Sequence, residues 1–406
     1  MKKLLQINTV GNWGSTGRIA EDIGKTAQKK GWQTYIACAR NIRESSSKII
    51  RIGSSIEIFF NVIWNRIFDC DSPISKISTK KLISQIKELS PDIIHLHNTH
   101  GYYIHNHTLL NFLAEYNRPI VWTIHDCWIM TGHCAYFSYE GCNKWQTLCK
   151  NCPQKHKYPA SFLLDNSTKN HIQKIKDINN IKNLTLVSIS NWIKGLIEES
   201  NLKNIQIKTI RNGIDINTFK PTNLPVREKY AIPAKKIILF VASVWSMEKG
   251  FFHIPPIAEK LKGDFVCVVV GVNKKQKEYL SKHNIIGISR TENVSELAGL
   301  YSEAFLLINP TLQEGLSMVN MESIACGTPT ITYDSGGTKE TIINEYVGSV
   351  IPQNDMDALL ESVEKFSHVD PKFTQNICRE VAKKYFDKEN IWEEYISLYE
   401  ELLSKK

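Results

Sequence analysis

At 406 residues the chain exceeds the size at which one hydrophobic core usually stops growing, so two domains are expected. Hydrophobic residues make up 42% and charged residues 22%, ordinary values for a globular protein. The formal net charge is +9, and no stretch approaches the ~20 uninterrupted apolar residues that a membrane-spanning helix needs.

The chain opens Met1-Lys2-Lys3-Leu4-Leu5-Gln6-Ile7-Asn8, superficially like a secretion signal. Gln6, Asn8 and Asn12 interrupt the apolar run and no small-residue cleavage site follows, so the segment reads as a first strand and the protein as cytoplasmic. A Gly-rich turn and a helix from about Gly17 to Lys30 come next, then a strand from Trp32 to Ala39. Further strands are expected at Asp92–His97, Ile120–Ile124, Leu184–Ile189 and Ile205–Ile210. After the Pro221–Pro225 segment the pattern restarts, with strands at Lys236–Val244, Phe265–Val270, Ala304–Asn309 and Thr328–Thr332 and a helix at Val319–Ala325. Ile391, Tyr395, Leu398 and Leu402 then recur at helical spacing over Lys388–Ser404. Short apolar runs separated by helical patterns argue an α/β fold with two doubly wound parallel sheets.

Charge is uneven. Residues 1–180 hold 23 Lys and Arg against 13 Asp and Glu. A solvated basic face, an anionic membrane surface and an anionic acceptor are all compatible with that excess. Nucleic acid is not expected, because no helix-turn-helix, RNA-recognition motif or basic tail accompanies it. The run Ile56–Phe68 is very apolar yet too short to span a bilayer, and it reads either as a buried core helix or as an interfacial one.

The most informative stretch is Asn309-Pro310-Thr311-Leu312-Gln313-Glu314-Gly315-Leu316-Ser317-Met318-Val319-Asn320-Met321-Glu322. A strand ends, a loop with glycine follows and a helix begins, which is where open α/β sheets bind ligands and where helix N–H groups are free for phosphate. Glu314 and Glu322 are about two helical turns apart. Ionised carboxylates only accept hydrogen bonds, which suits hydroxyl-rich ligands.

The Glu-x7-Glu spacing is followed by Ala325-Cys326-Gly327-Thr328-Pro329 and Gly336-Gly337-x-x-Glu340. It is preceded by Glu248-Lys249-Gly250 and by Asn212-Gly213-Ile214-Asp215. In this order, over nearly the whole chain, the motifs resemble the retaining GT-B transferases called glycosyl transferases group 1. The wording His125-Asp126-Cys127-Trp128, Thr131-Gly132-His133-Cys134 and Cys149-x-x-Cys152-Pro153 looks like the subgroup that builds colanic-acid-type or capsular polysaccharides.

The resemblance implies two Rossmann-like domains facing a cleft: an acceptor-side domain over 1–218, a nucleotide-sugar domain over 219–385, and a terminal helix over 386–406 that returns to the first. It implies a retaining hexosyltransferase that moves sugar from a nucleotide-diphosphate donor to a glycan or polyprenyl-diphosphate-linked acceptor, peripheral on the inner face of the plasma membrane. Glu314 would contact the donor sugar. The amides of Gly315, Leu316, Ser317 and Met318 would hold the diphosphate or sugar, Glu322 the ribose, and Lys249 would neutralise the leaving group. The family's Arg after the strand before Glu-Lys-Gly is missing from Val241-Ala242-Ser243-Val244-Trp245, which makes Arg18 and Arg290 candidate substitutes. Gly14 and Gly17 belong to the N-terminal Gly-rich loop, and His125 with Asp126 would face the donor sugar. A nucleotide-sugar epimerase and an inactive nucleotide-sugar-binding partner are the rival readings.

No Asp-x-Asp motif stands near the donor site, so no catalytic metal is expected. Cys134, Cys142, Cys149 and Cys152 have spacings that allow a structural zinc, with free buried thiols and disulfides as alternatives.

Overall fold

The computed structural model describes residues 1–405. The chain divides into two compact units, Met1–Arg211 with the chain from Trp392 onward, and Asn212–Ile391.

In the first unit the strands are β1 (Lys3–Ile7), β2 (Gln33–Cys38), β3 (Lys48–Arg51), β4 (Ile93–Leu96), β5 (Ile120–Ile124), β6 (Leu184–Ser188) and β7 (Gln206–Thr209). They lie in the order β3-β2-β1-β4-β5-β6-β7, and every pair is parallel. Strands β4, β5 and β6 are buried along their whole length, because helices cover both faces. That is why they read as continuous apolar runs. The edge strand β3 escapes such a reading: its sequence is Lys-Ile-Ile-Arg, with charged ends that suit an unpaired edge.

In the second unit β8 (Lys236–Val241), β9 (Phe265–Val270), β10 (Ile286–Ile288), β11 (Ala304–Asn309), β12 (Thr330–Tyr333) and β13 (Gly348–Ile351) form a parallel sheet in the order β10-β9-β8-β11-β12-β13. Ile238, Phe240, Leu306, Ile308 and Ile331 lie at the centre of its core. The short strands β10 and β13 were not expected from the sequence.

Each sheet has one place where the strand order reverses, between β1 and β4 and between β8 and β11. Loops leaving the carboxyl ends of two such strands diverge to opposite faces and leave a crevice. The Gly-rich turn and the His97–Tyr103 segment follow β1 and β4, while Glu248-Lys249-Gly250 and the Glu314 loop follow β8 and β11.

The helix Lys388–Ser404 ends in the first unit. Trp392, Tyr395 and Tyr399 on it are almost fully buried. The Tyr399 hydroxyl lies 2.6 Å from His95 Nδ1, and the Tyr395 hydroxyl lies 3.0 Å from Thr123 Oγ1. The terminal helix therefore packs on the first unit, as the resemblance implied.

The apolar run near residue 60 is the helix Ser55–Phe68, started by a capping box between Ser54 and Glu57. It is not a core helix. Ile56, Phe59, Phe60 and Ile63 are 70%, 61%, 50% and 40% exposed.

Candidate functional site

In the second unit the crevice is built by three interlocked loops. The Thr311 hydroxyl donates to the Glu248 carbonyl at 3.3 Å, and the Leu312 N–H donates to the same carbonyl at 2.8 Å. The Gly337 N–H donates to the Glu314 carbonyl at 3.0 Å. Two glycines make this closeness possible. Gly250 has φ +75°, and a Cβ there would stand 2.0 Å from the Pro310 carbonyl oxygen. Gly336 has φ +61°, and its Cβ would stand 2.1 Å from the Glu314 carbonyl oxygen. No side chain fits either gap.

This lacing brings Lys249 and Glu314 together although 65 residues separate them: Lys249 Nζ lies 2.5 Å from Glu314 Oε2. Both are partly exposed, so a ligand can reach them. Glu314 Oε1 also accepts from the Gly315 N–H at 3.2 Å.

Behind the loop, Ser317 caps the helix Met318–Ala325 by accepting from the Asn320 N–H. Asn309 Nδ2 donates to Ser317 Oγ at 3.0 Å and to Asn320 Oδ1 at 2.7 Å. These buried bonds fix the loop that carries Gly315 and Leu316, both buried, while Met318 is half-buried. Glu322 accepts from the Tyr301 hydroxyl at 3.0 Å. Burial, with Glu322 beside it, pushes the Tyr301 phenol well above its ordinary range, so Tyr301 stays a donor. Nothing local marks Tyr301 in the sequence, because it comes from the preceding helix.

In the first unit the crevice is lined by a chain of imidazoles. Gln6 Nε2 donates to the Ala20 carbonyl at 2.6 Å, which leaves Gln6 Oε1 as an acceptor for His97 Nε2–H at 3.0 Å. His97 Nδ1 then accepts from His125 Nε2–H at 3.1 Å. The tautomers follow from this network and leave His125 Nδ1 as an acceptor. Burial, with His100 nearby, pulls the His125 pKa down to about 4 against the pull of Asp126, so the ring is neutral at pH 7. Asp126 accepts from the Trp128 N–H at 2.9 Å and pairs with His100 Nε2 at 2.8 Å. Burial pushes its carboxyl up, but His100 and the Trp128 N–H outweigh that and hold it below the usual range. His97 and His100, from the histidine-rich sequence at the carboxyl end of β4, are thus the partners of His125 and Asp126.

The remaining candidates are placed as follows. Gly14 starts the helix Gly14–Lys29 and Gly17 is buried in its first turn, while Arg18 is exposed. Arg290 is exposed beyond the end of β10, two strands from the reversal. Arg290 does not join the Lys249–Glu314 pair.

The four clustered cysteines line one small cavity with Trp145 and Phe137. All ten cysteines are free. Cys134 and Cys152 share a hydrogen bond, which lowers the Cys152 thiol to about 7 and raises that of Cys134. Cys149 Sγ accepts from the Gly132 N–H at 3.2 Å. Among the described residues no three His, Cys, Asp or Glu side chains stand at metal-holding spacing.

Comparison with known proteins agrees with this architecture. Residues 224–385 match the family Glycosyl transferases group 1, and residues 16–218 match Glycosyltransferase Family 4. A capsular polysaccharide biosynthesis glycosyltransferase, CapM of Staphylococcus aureus, is 25% identical over 54% of this chain and 62% of its own length. A putative colanic acid biosynthesis glycosyl transferase, WcaC of Escherichia coli, is 26% identical over 38% of this chain and 40% of its own. The chain thus matches less than two thirds of the length of these curated relatives. Among solved structures, sucrose-phosphate synthase of Thermosynechococcus elongatus superposes with TM-score 0.72 at 16% identity, covering 100% of both chains. Anabaena HepE in complex with UDP superposes with TM-score 0.68 at 13% identity, covering 99% of this chain and 100% of that one. The fold is GT-B, with two Rossmann-like domains.

Proposed function

We infer the reaction from family membership: the chain belongs to glycosyltransferase family 4 and carries a group 1 domain. It is a glycosyltransferase. We propose that its donor is a nucleotide-diphosphate sugar and that transfer proceeds with retention, in the assembly of a surface polysaccharide. The bond from sugar C1 to the diphosphate breaks, a bond from C1 to an acceptor oxygen forms, and nucleoside diphosphate and a proton are released.

The observation that carries this reading is the Lys249–Glu314 pair at the reversal between β8 and β11. A diphosphate beside the helix Met318–Ala325 would meet loop N–H groups from Gly315 onward and would compete with Glu314 for Lys249. Lys249 would then be positioned where negative charge grows as the bond breaks. Glu314, released, would accept from sugar hydroxyls. Glu322, held by Tyr301, would accept from the ribose. His125 offers a neutral ring nitrogen that can accept from a hydroxyl. The group 1 match does not favour the epimerase or the inactive binder.

Incubation with a panel of nucleotide sugars tests the proposal. Release of nucleoside diphosphate with one of them supports it. Tight binding with no release by any would leave a binder rather than an enzyme.

We also propose that the first unit rests on a membrane. Ile56, Phe59, Phe60 and Ile63 are exposed on the helix Ser55–Phe68, and Phe162, Leu163 and Leu164 are exposed on a segment bonded to the end of that helix. The second segment is fastened to the first by Phe162 N–H donating to the Arg66 carbonyl at 2.7 Å and Leu164 N–H to that of Ile67 at 3.1 Å. An apolar patch in the basic half of the chain suits an anionic bilayer and a polyprenyl-linked acceptor. The protein is expected to float with anionic liposomes, less so as salt rises, because screening shortens the reach of surface charge. Phe59→Asp with Phe60→Asp should abolish flotation and leave the melting temperature nearly unchanged, since both rings are exposed. Equal flotation with neutral vesicles, or no loss in the variant, would count against a membrane face.

The four clustered thiols enter this reading as ligands for a structural zinc, on the strength of their spacing and shared cavity. Binding would have to draw them together.

A further inference from the structure

The carboxyl ends of β2 and β3 open onto a cleft of about 430 Å³ that lies wholly within the first unit. Residues 39–42, Arg51, and Ser55 and Ile58 of the helix Ser55–Phe68 form its walls. It stands one and two strands out from the reversal between β1 and β4. Two arginines line it, and among the described residues no carboxylate does.

Arg40 is fixed there by its backbone. Its N–H donates to the Thr9 carbonyl at 3.0 Å, and its carbonyl accepts from the Gly11 N–H at 3.4 Å. Its guanidinium carries a charge that no counterion answers. Nε and Nη2 are closed off from solvent without a hydrogen-bond partner, so an incoming group meets Arg40 through Nη1. The Tyr102 ring covers one side, 5.7 Å from Cζ. Burial pulls the Arg40 pKa below its ordinary value, and only the Tyr158 and Tyr102 phenols pull the other way. A charge drawn partly out of water with no partner is costly, so an anion is the group this arrangement lacks.

Arg51, exposed at the end of β3, brings a second guanidinium. Its Nη2 donates to Ser55 Oγ at 3.3 Å, which leaves most of its fork unused. Arg66, in the last turn of the same helix, acts together with Arg40 on Tyr102. The neighbouring carboxylates are taken up elsewhere. Glu57 accepts the Ser54 N–H, and Asp69 pairs with His133 at 2.6 Å.

A guanidinium fork matches the oxygens of carboxylate or phosphate. A carboxylate brings one charge and two oxygens, enough for one fork. Two forks on one cleft, with no acid beside them, suit a group with more charge and a third oxygen. We propose that Arg40 and Arg51 form a binding site for a phosphate group, a phosphomonoester or a diphosphate. Two sources carry that chemistry, the headgroup of an anionic lipid and a soluble phosphate. The lipid source rests on the membrane face proposed above, because Ile56, Phe59 and Phe60 are exposed on the same helix. The phosphate site itself does not.

The test uses the full chain and has two arms. In the first, inorganic phosphate is titrated and followed by ³¹P NMR line width. Its affinity should fall by about tenfold or more in Arg40→Gln and in Arg51→Ala, the scale of losing one charge-assisted contact. Should Arg40→Gln fail to melt cooperatively, Arg51→Ala, at an exposed strand end, carries the expectation alone. In the second arm, flotation is compared on phosphatidylcholine vesicles containing phosphatidic acid or phosphatidylglycerol, matched in surface charge. A preference for phosphatidic acid that Arg51→Ala removes assigns the site to a lipid headgroup. Phosphate binding without that preference assigns it to a soluble phosphate. Undiminished phosphate affinity or an undiminished vesicle preference in the folded variants would overturn the proposal. So would a fall confined to Lys249→Ala, or the absence of both phosphate binding and vesicle preference. If no vesicle is bound but phosphate binding depends on Arg51, the membrane face fails and the phosphate site stands.

Discussion

Lys249→Ala is expected to lower kcat for the proposed nucleotide-sugar donor by on the order of 10²–10³, the scale of losing one group that stabilises charge as it develops. Glu314→Ala should also act mainly on kcat if, as proposed, its contact is with the reacting sugar. Glu322→Ala would remove the proposed ribose contact, made equally before and during reaction, so it should mainly raise KM. The two first residues are bonded to each other at 2.5 Å, and that makes their effects non-additive. Without Lys249, the Glu314 carboxylate stands unneutralised next to an incoming diphosphate. The double variant should therefore lose much less than the product of the single losses. Steady-state kinetics on the three single variants and the double decide the matter. Independent multiplication of the Lys249 and Glu314 effects, or losses confined to KM at all three positions, would mean that the pair is only structural.

Lowering the pH from 7 to 5 should destabilise the protein. His95, His97, His125 and His171 all have pKa values below the ordinary 6.5, with burial the largest cause in each. For His125 and His171 the value is about 4. In the unfolded chain these rings take up protons near pH 6.5, while in the folded chain they resist until about pH 4. The unfolded state thus binds more protons across that window, and stability is present above pH 6.5 and lost as pH falls toward 4. His133 works in the other direction. Burial lowers it, but Asp69 outweighs burial and raises it, so it contributes stability at the lower pH. With several depressed rings against one raised, the net cost by pH 5 is on the order of a few kcal/mol, or a melting temperature lower by roughly 5–15 °C. Calorimetry at pH 7, 6 and 5 checks this. A flat melting temperature would show that the imidazoles are not held neutral.

Much of the fold was legible because buried parallel strands are continuous apolar runs. β4, β5, β9 and β11 stand out for that reason. Strands β3, β10 and β13 do not, because they are short edges with charged, small or exposed residues. The same contrast separates the two crevices. Glu314, Glu322 and Lys249 sit in compact motifs whose order along the chain is itself informative. The imidazole chain is not compact: His97 meets His125 across 28 residues, Gln6 across 91, and His95 reaches Tyr399 across 304. No local spacing encodes such a network. The apolar run near residue 60 was ambiguous for a different reason. A helix whose apolar residues spread around its axis looks the same in sequence whether covered or bare, and only the tertiary packing decides which.

The contacts at Gly250 and Gly336 have a bearing on any redesign of the proposed donor site. Because a carbonyl oxygen occupies the space beside each glycine, the segments near 248–250, 310–315 and 335–337 share one set of clearances. Exchanging any one of them for the counterpart from another transferase alters the fit of the other two. A graft at the proposed donor site should move all three segments as a block, and libraries that randomise one segment alone should be dominated by misfolded clones.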